Sequence, residues 1–145
     1  MPTGMDADPD EILLLDTSAA IALIVEDHEA HPVTLEVVRG RRIGLAGHAW
    51  FETYSVLTRL PGGLRRSPAD VAALLAHNFP ATAFLEAEVA AGLGPELAQL
   101  GISGGAVYDA LVGAAARQHG RVLLSGDARA RPVYEALRVR VRLVG

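Results

Sequence analysis

The sequence predicts an α/β domain in which a mostly parallel central sheet is flanked by helices. Short apolar runs of strand length alternate along the chain with longer segments that carry helix start and stop signals. The first run, ILLL at residues 12–15, has no polar member, as expected of a strand buried on both faces. Of the 145 residues, 50% are hydrophobic and 21% charged, which is enough for one core. We therefore expect a single domain over residues 11–145, preceded by a flexible N-terminal segment over residues 1–10.

The first half of the chain predicts helices after each strand. In chain order, the patterns predict a strand over residues 12–15, helices over residues 19–25 and 32–38, a strand over residues 43–46, a helix over residues 48–60, and a helix from Ser67 toward His77. Asp16, Thr17 or Ser18 can cap the first helix, because their side-chain oxygens accept hydrogen bonds from free backbone N–H groups. Ser67 is a strong N-cap, since a proline and an acid follow it in the first turn.

The second half continues the alternation of strands and helices. It predicts strands over residues 81–85, 122–125 and 140–144, and helices over residues 95–100, 103–119 and 128–137. Gly120 is expected to end the long helix of small residues, as glycine commonly does at a C-terminus. The arginines at 138, 140 and 142 alternate along the last strand, which favours a charged edge strand that resists aggregation.

Four acidic residues stand in apolar surroundings, where a carboxylate is costly. Asp16 closes the run ILLL, Glu52 lies in AWFETYSVL, Asp109 lies in AVYDALVGAAA, and Asp127 follows VLL by two residues. Sites in parallel sheets collect beyond the carboxyl ends of the strands, where Asp16 and Asp127 are expected, whereas the other two arrive from helices. Carboxylates about 4 Å apart repel by roughly 4 kcal/mol per pair at an effective dielectric of about 20. If the fold gathers these acids, a bound cation would stabilise them.

Each acid also has a purely structural explanation. Asp16 is a good helix cap, and Glu52 fits an ordinary exposed helical position. Asp127 has arginines two and four residues further on, either of which allows a local salt bridge. Asp109 is hardest to explain in this way, because it lowers helix propensity within an apolar helix and has no basic residue at helical spacing. The hypothesis of a metal-dependent hydrolase therefore rests on the four acids together.

Composition excludes several classes of site and of location. The chain has no cysteine, so thiolate sites are excluded, and oxygen and imidazole are the strong metal ligands left. It also has no lysine, so mechanisms that need a lysine are excluded. The net charge of −4 argues against a protein that coats nucleic acid non-specifically. No segment has the roughly eighteen uninterrupted apolar residues of a membrane helix, and the acidic start lacks the pattern of a secretion signal, so we expect a cytoplasmic protein. A mean hydropathy of +0.26 suggests an apolar surface covered by a second copy or another chain.

Other polar residues give weaker signals. His28 and His31 lie in a charged segment without an HExxH motif, which favours exposed surface histidines over a zinc site. Arg65, Arg66 and Arg129 are candidates for phosphate contacts, because arginine binds phosphate through two parallel N–H groups.

The four acidic motifs, in their order and spacing, resemble those of the PIN-domain ribonucleases, and more narrowly the VapC-type toxins of bacterial toxin–antitoxin pairs. The resemblance spans residues 12–144 and rests on LLLDTSAAIAL, HAWFETYSVLTRL, ISGGAVYDALVGAAA and VLLSGDARA. It implies a PIN-like fold with hydroxyl groups near the site at Thr17 and Ser125. It further implies that the catalytic and metal-binding carboxylates are Asp16, Glu52, Asp109 and Asp127.

The resemblance also implies the chemistry and the partners. Hard oxygen ligands select Mg²⁺, or Mn²⁺, over zinc. The expected protein is a magnesium-dependent endoribonuclease that hydrolyses RNA phosphodiester bonds as the toxin of a toxin–antitoxin pair. It would be a homodimer, unattached to membranes and silenced by a cognate antitoxin that packs over apolar grooves.

Two alternatives stay open from the sequence. A PIN-like domain whose acids are idle would be a binding module rather than an enzyme. A metal-dependent phosphatase is less favoured, because a receiver-like site needs a lysine, which the chain lacks. A dehalogenase-like site needs an acid two residues after the first aspartate, where Ser18 stands.

Overall fold

A parallel sheet of four strands forms the centre of the described chain. The computed structural model describes residues 10–145, so most of the segment expected to be flexible, residues 1–9, lies outside the described residues. The strands are β1 (Leu13–Leu15), β2 (Ile43–Leu45), β3 (Val122–Ser125) and β4 (Val141–Leu143), in the order β2-β1-β3-β4. Every neighbouring pair is parallel, which confirms the predicted α/β class.

Helices cover both faces of this sheet. They are α1 (Thr17–Ile24), α2 (His31–Val38), α3 (Ala49–Thr58), α4 (Pro68–Asn78), α5 (Ala87–Ala91), α6 (Leu93–Gln99), α7 (Ala106–Gln118) and α8 (Arg131–Ala136). Side chains alternate across β1, so Leu13 and Leu15 join one core cluster and Leu14 the other. The first cluster includes residues of α1 to α4, and the second includes residues of α7 and α8. Two buried faces explain why the central strands are continuously apolar.

The prediction of a strand over residues 81–85 is wrong. This segment forms an isolated β-bridge, between Ala46 and Ala83, instead of a strand. The Thr82 hydroxyl accepts a hydrogen bond from the Leu45 N–H at 3.0 Å and donates one to the Phe79 carbonyl at 2.8 Å. A side chain therefore takes the place of a backbone ladder partner at this point, and the segment runs beside β2 without becoming a strand.

Two helices are shorter than predicted, because turns occupy the first residues of the predicted ranges. The helix predicted over residues 103–119 begins only at Ala106, because Gly104 has φ +59°, in the left-handed region. The helix predicted over residues 128–137 is confined to α8, since a turn follows Asp127. A short helix, α5, was not predicted at all. Gly120, with φ +63°, ends α7 as predicted.

The last strand lies at an edge of the sheet, as predicted, but it is confined to Val141–Leu143, so of the three arginines Arg142 lies in the strand and the other two precede it. Arg140 donates a hydrogen bond to the Gly120 carbonyl at 2.9 Å, which ties the residue before β4 to the turn before β3. Over the described residues, none of the helices has both the length and the apolar character needed to cross a membrane.

Candidate active site

All four acids singled out in the sequence line one cleft at the carboxyl edge of the sheet. Asp16 follows β1, and Asp127 lies two residues past β3, which pairs with β1. Glu52 and Asp109 lie in the first turns of α3 and α7. The cleft has a volume of about 260 Å³ and is lined by Asp16, Thr17, Ser18, Glu52, Asp109, Val112, Asp127 and Tyr134. Parallel strands place their carboxyl ends together, so this position follows from the topology.

Asp16 is the most buried of the four acids, with 3% of its surface exposed. Its Oδ1 accepts hydrogen bonds from the Ala19 N–H at 3.0 Å and from the Ser18 hydroxyl at 2.6 Å. Its Oδ2 accepts one from the Tyr134 hydroxyl at 2.9 Å. The residue is therefore the N-cap of α1, as predicted, and three donors stabilise its charge without an arginine.

Tyr134 belongs to the site although the sequence did not point to it. Its side chain is 1% exposed, and its hydroxyl contacts a residue 118 positions earlier in the chain. Burial, followed by the nearby Asp16 carboxylate, raises the pKa of Tyr134, so its hydroxyl stays protonated and donates a hydrogen bond to Asp16. The sequence offers only an indirect signal, a polar aromatic residue seven positions after Asp127 in a segment predicted to be helical.

The other three carboxylates of the cleft affect the pKa of Asp109. Burial is the largest cause that raises the pKa of Asp109, and the charges of Asp127, Glu52 and Asp16 raise it further. The positive charge of Arg129 partly offsets these effects. The cleft therefore favours a proton or a cation beside Asp109, because the ionised carboxyl is partly desolvated and makes no ion pair with another residue of the described range 10–145.

Asp127 is oriented mainly by its own turn. Its backbone N–H donates to the Ser125 hydroxyl at 3.0 Å, and its Oδ1 accepts from the Arg129 N–H at 2.9 Å. The Arg129 guanidinium lies 3.5 Å from Oδ1, but its side chain is 94% exposed, so this ion pair contributes little. Arg131, the other arginine considered, pairs instead with Glu135.

Two hydroxyls connect the segments that carry the acids. The Thr17 hydroxyl donates to Oε1 of Glu52 at 3.3 Å, which links α1 to α3. The Ser18 hydroxyl donates to Asp16 and accepts from the Gly126 N–H at 2.8 Å, which joins the turn after β1 to the turn after β3. Ser125 orients Asp127 through the backbone but does not line the cleft.

The other polar residues noted in the sequence lie elsewhere. His28 and His31 are half-buried rather than exposed: the Nδ1 of His28 accepts from the Ala30 N–H at 3.0 Å, and that of His31 lies 3.0 Å from the Ala22 carbonyl. Both rings therefore lie at the surface but are only partly exposed, because local backbone groups hold them, and among residues 10–145 neither belongs to a group that could hold a metal ion. Arg65 and Arg66 do not line the cleft, and of the three arginines considered for phosphate only Arg129 lies beside it.

The donor chemistry of the cleft fits a hard divalent cation, although the acids do not form a closed cage. Within residues 10–145, no group of three or more Asp, Glu or His side chains is close enough to surround one ion. Mg²⁺ does not require such a cage, because it commonly retains several waters and takes only one or two carboxylates from the protein. Four carboxylates around an open cleft are therefore compatible with an ion held partly through water.

Fold and site together define the class of protein as an α/β domain with a carboxylate-lined cleft at the carboxyl edge of a parallel sheet. Residues 13–136 match the family model described as the PIN domain. The chain is 48% identical over 129 residues to Ribonuclease VapC27 of Mycobacterium tuberculosis, covering 89% of this chain and 94% of the relative. It is 43% identical over 131 residues to Ribonuclease VapC40 of the same organism, covering 89% and 96%. The chain therefore belongs to the PIN-domain family, and within it to the VapC ribonucleases.

Solved structures show the same fold at low sequence identity. VapBC2 from Rickettsia felis, bound to a DNA fragment from its promoter, gives a TM-score of 0.66 at 14% identity, covering 92% of this chain and 99% of that one. FitAB bound to the IR36 DNA fragment gives a TM-score of 0.61 at 17% identity, covering 90% and 94%. PIN-domain ribonucleases in general depend on a divalent metal ion.

Proposed function

We propose that the chain is a magnesium-dependent endoribonuclease that hydrolyses RNA phosphodiester bonds and acts as the toxin of a toxin–antitoxin pair. The observation that carries the proposal is the convergence of Asp16, Glu52, Asp109 and Asp127 on one cleft in a chain 48% identical to a named ribonuclease. Mn²⁺ would serve in place of Mg²⁺, because both prefer oxygen ligands.

The four acids divide into two roles in this proposal. Asp16, Glu52 and Asp109 bind the metal directly or through water, and Asp127 completes the shell of a second ion or orients water. A divalent ion bound there would polarise the phosphodiester and lower the pKa of a bound water. The raised pKa of Asp109 supports this assignment, since a cation would relieve the same repulsion that raises it.

Hydrogen bonds within the protein orient the carboxylates of Asp16 and Glu52. Each oxygen of Asp16 already accepts from fixed donors, the Oδ1 from Ser18 and Ala19 and the Oδ2 from Tyr134, so the carboxylate cannot rotate without breaking hydrogen bonds. A carboxylate offers about four lone-pair directions, so one of them is left for an ion or for water. Thr17 restrains Glu52 in the same way through one weaker contact.

An apolar groove between α1, α2 and α4 supports an antitoxin partner. The groove has a volume of about 480 Å³, and its apolar lining includes Leu23, Ile24, Leu35, Val38 and Leu74. Arg66 and Arg39, which also pairs with Glu36, lie at the same groove beside Glu26, and the two cations would attract an acidic peptide segment. We place the antitoxin tail there, and we expect the toxin to be a cytoplasmic homodimer.

Cleavage of RNA tests the proposed function directly. We expect the purified chain, incubated with total cellular RNA and Mg²⁺, to produce new RNA ends that sequencing maps to a restricted set of positions. Excess chelator should abolish the new ends, and added Mn²⁺ should restore them. If the free protein produces the same ends with and without chelator, or none in either condition, the proposal is wrong.

Replacement of Tyr134 by phenylalanine should lower the cleavage rate by about 10- to 100-fold, because partners that orient a metal ligand typically have effects of that size. The ring still fills its place in the core, whereas Oδ2 of Asp16 loses the hydrogen bond that the Tyr134 hydroxyl donates to it. The apparent Mg²⁺ concentration for half-maximal cleavage should rise in parallel.

The matched control for this variant is Tyr54→Phe, which removes a tyrosine hydroxyl from α3 outside the carboxylate cleft. Both variants should give a native circular dichroism spectrum. Equal cleavage rates and equal Mg²⁺ dependence in the two variants would show that Tyr134 only fills space.

A further inference from the structure

A second cavity opens directly beside the carboxylate cleft. It has a volume of about 300 Å³ and is lined by Thr17, His48, Glu52, Ser55, Val56, Arg59 and Tyr108. Thr17 and Glu52 line both cavities, so the two lie side by side. A volume of this size is at the lower end of the range for small-molecule sites, which suits a single nucleotide rather than a protein segment.

One wall of this cavity is a fixed aromatic surface. The Tyr108 ring stacks on the His48 ring, with centroids 5.3 Å apart and planes inclined by 22°. Tyr108 is nevertheless 53% exposed. The stack holds the tyrosine ring in place while leaving much of it open to solvent, which is the arrangement that a nucleobase needs to stack on a protein.

The cavity also contains a positive charge, the guanidinium group of Arg59. Arg59 is exposed at the end of α3 and makes no ion pair or side-chain hydrogen bond with the described residues. The cleft next to it is acidic, so a free guanidinium at this position would bind a phosphate that lies outside the reach of the metal-binding acids.

We propose that this cavity, the Tyr108 subsite, binds the nucleotide next to the scissile phosphate of the RNA substrate. The base stacks on Tyr108, and the phosphate on its far side contacts Arg59. The inference rests on the proposed function, because it requires an RNA phosphate in the carboxylate cleft. Since every base has an aromatic face, stacking favours single-stranded RNA over a paired helix and does not by itself select one base.

The same aromatic residues raise a competing explanation. Phe51 and Phe84 lie 6.0 Å apart between ring centroids, Phe51 lies 6.3 Å from His48, and both phenylalanines are about half exposed. A second copy of the chain that covered this whole patch would bury Tyr108 as well. The RNA proposal is favoured because His48 and Tyr108, and neither phenylalanine, line the cavity next to the cleft.

Binding of a fluorescent 12-nucleotide single-stranded RNA of random sequence tests the subsite. Fluorescence anisotropy is measured with Mg²⁺ in a chain that carries Asp109→Asn, so that the probe is not cut. We expect Tyr108→Ala to weaken binding by about 5- to 150-fold, the range found when a stacking aromatic residue is removed. Arg59→Gln should weaken binding and reduce the slope of log affinity against log salt by about one phosphate contact.

Two controls separate stacking from other effects. Tyr108→Phe retains the ring and should bind as the parent does, and Phe84→Ala removes an exposed aromatic residue outside the cavity and should also bind as the parent does. Equal affinities of Tyr108→Ala and the parent would overturn the subsite. Loss of a dimer by Tyr108→Ala in analytical ultracentrifugation would also overturn it, in favour of an interface between copies.

A crosslinking readout keeps this proposal distinct from the proposed function. RNA carrying 4-thiouridine should crosslink to the peptide that contains Tyr108, and mass spectrometry should locate the crosslink there. If the unmodified chain cleaves RNA but crosslinks only elsewhere, the subsite is wrong and the nuclease assignment stands. If the chain crosslinks at Tyr108 but never cleaves RNA, the subsite is supported and the nuclease assignment fails.

Discussion

Asp109→Asn should reduce RNA cleavage by at least about a hundredfold while making the metal-free protein more stable. The loss of activity follows because the variant removes one negatively charged oxygen ligand from the cleft, and a bound ion supplies much of the catalysis in such enzymes. The gain in stability follows because burial and three neighbouring carboxylates raise the pKa of Asp109, so its ionised form costs free energy in the folded state.

The sign of the pH dependence follows from the same shift. Since the pKa of Asp109 is raised above its ordinary value of 3.8, the protonated form is favoured by folding. The stability that it contributes is fully present below pH 3.8 and is lost as pH rises through the raised pKa. In chelator, the stability advantage of Asp109→Asn should therefore be small in acid and grow with pH until Asp109 is fully ionised in the parent.

The matched control is Asp70→Asn, which neutralises an exposed acid in the first turn of α4, the position that Asp109 has in α7. It should leave cleavage unchanged and lower stability slightly, by about 0.3–1 kcal/mol, through the helix dipole. Thermal unfolding of both variants and the parent in chelator, followed by cleavage assays in Mg²⁺, gives all the values needed. An Asp109→Asn variant that cleaves RNA at the parent rate would remove this residue from the site.

Gly44→Ala should destabilise the domain by about 2–4 kcal/mol, because it introduces a methyl group where backbone already lies. A Cβ atom at Gly44 would stand 2.2 Å from the backbone carbon of Ala81 and from the backbone nitrogen of Thr82. Backbone cannot move aside as a flexible side chain can, and Thr82 is further held by its hydrogen bonds to β2 and to Phe79.

Urea unfolding at constant pH measures this effect, and Gly94→Ala is the control. Gly94 lies within α6 with open space around it, so alanine there should be neutral or stabilising by up to about 1 kcal/mol. Equal unfolding midpoints for Gly44→Ala and the parent would contradict the close packing of residues 81–82 against β2.

Much of the fold was predictable because local signals and burial agree. The run at Leu13–Leu15 is apolar since both faces of the sheet are covered, and Ser67 starts α4 because its hydroxyl accepts from the Asp70 N–H. The segment around Thr82 misled prediction because its composition suits a strand, whereas one hydroxyl takes the place of a ladder hydrogen bond. No local pattern encodes that exchange, since it depends on a partner 37 residues away.

The site was predictable to the extent that its acids follow strands or interrupt apolar helices. Asp16 and Asp109 were noticed because a carboxylate in apolar surroundings is unusual. Tyr134 escaped notice because a tyrosine in an amphipathic segment is ordinary, and only the folded chain brings its hydroxyl to Asp16. The role of Ser18 was similarly hidden, since its hydrogen bond to Gly126 spans 108 residues.

The central claim is that the four carboxylates together bind a divalent metal ion in the cleft. Diffraction from crystals soaked in MnCl₂ tests this claim most directly. Anomalous diffraction should reveal at least one manganese peak inside the cleft bounded by Asp16, Glu52, Asp109 and Asp127, in contact with at least one of these side chains directly and with the others directly or through water. Crystals of the Asp109→Asn variant should show a weaker peak or none. A cleft without manganese at saturating concentration, in crystals where the four side chains keep the arrangement described above, would contradict the claim.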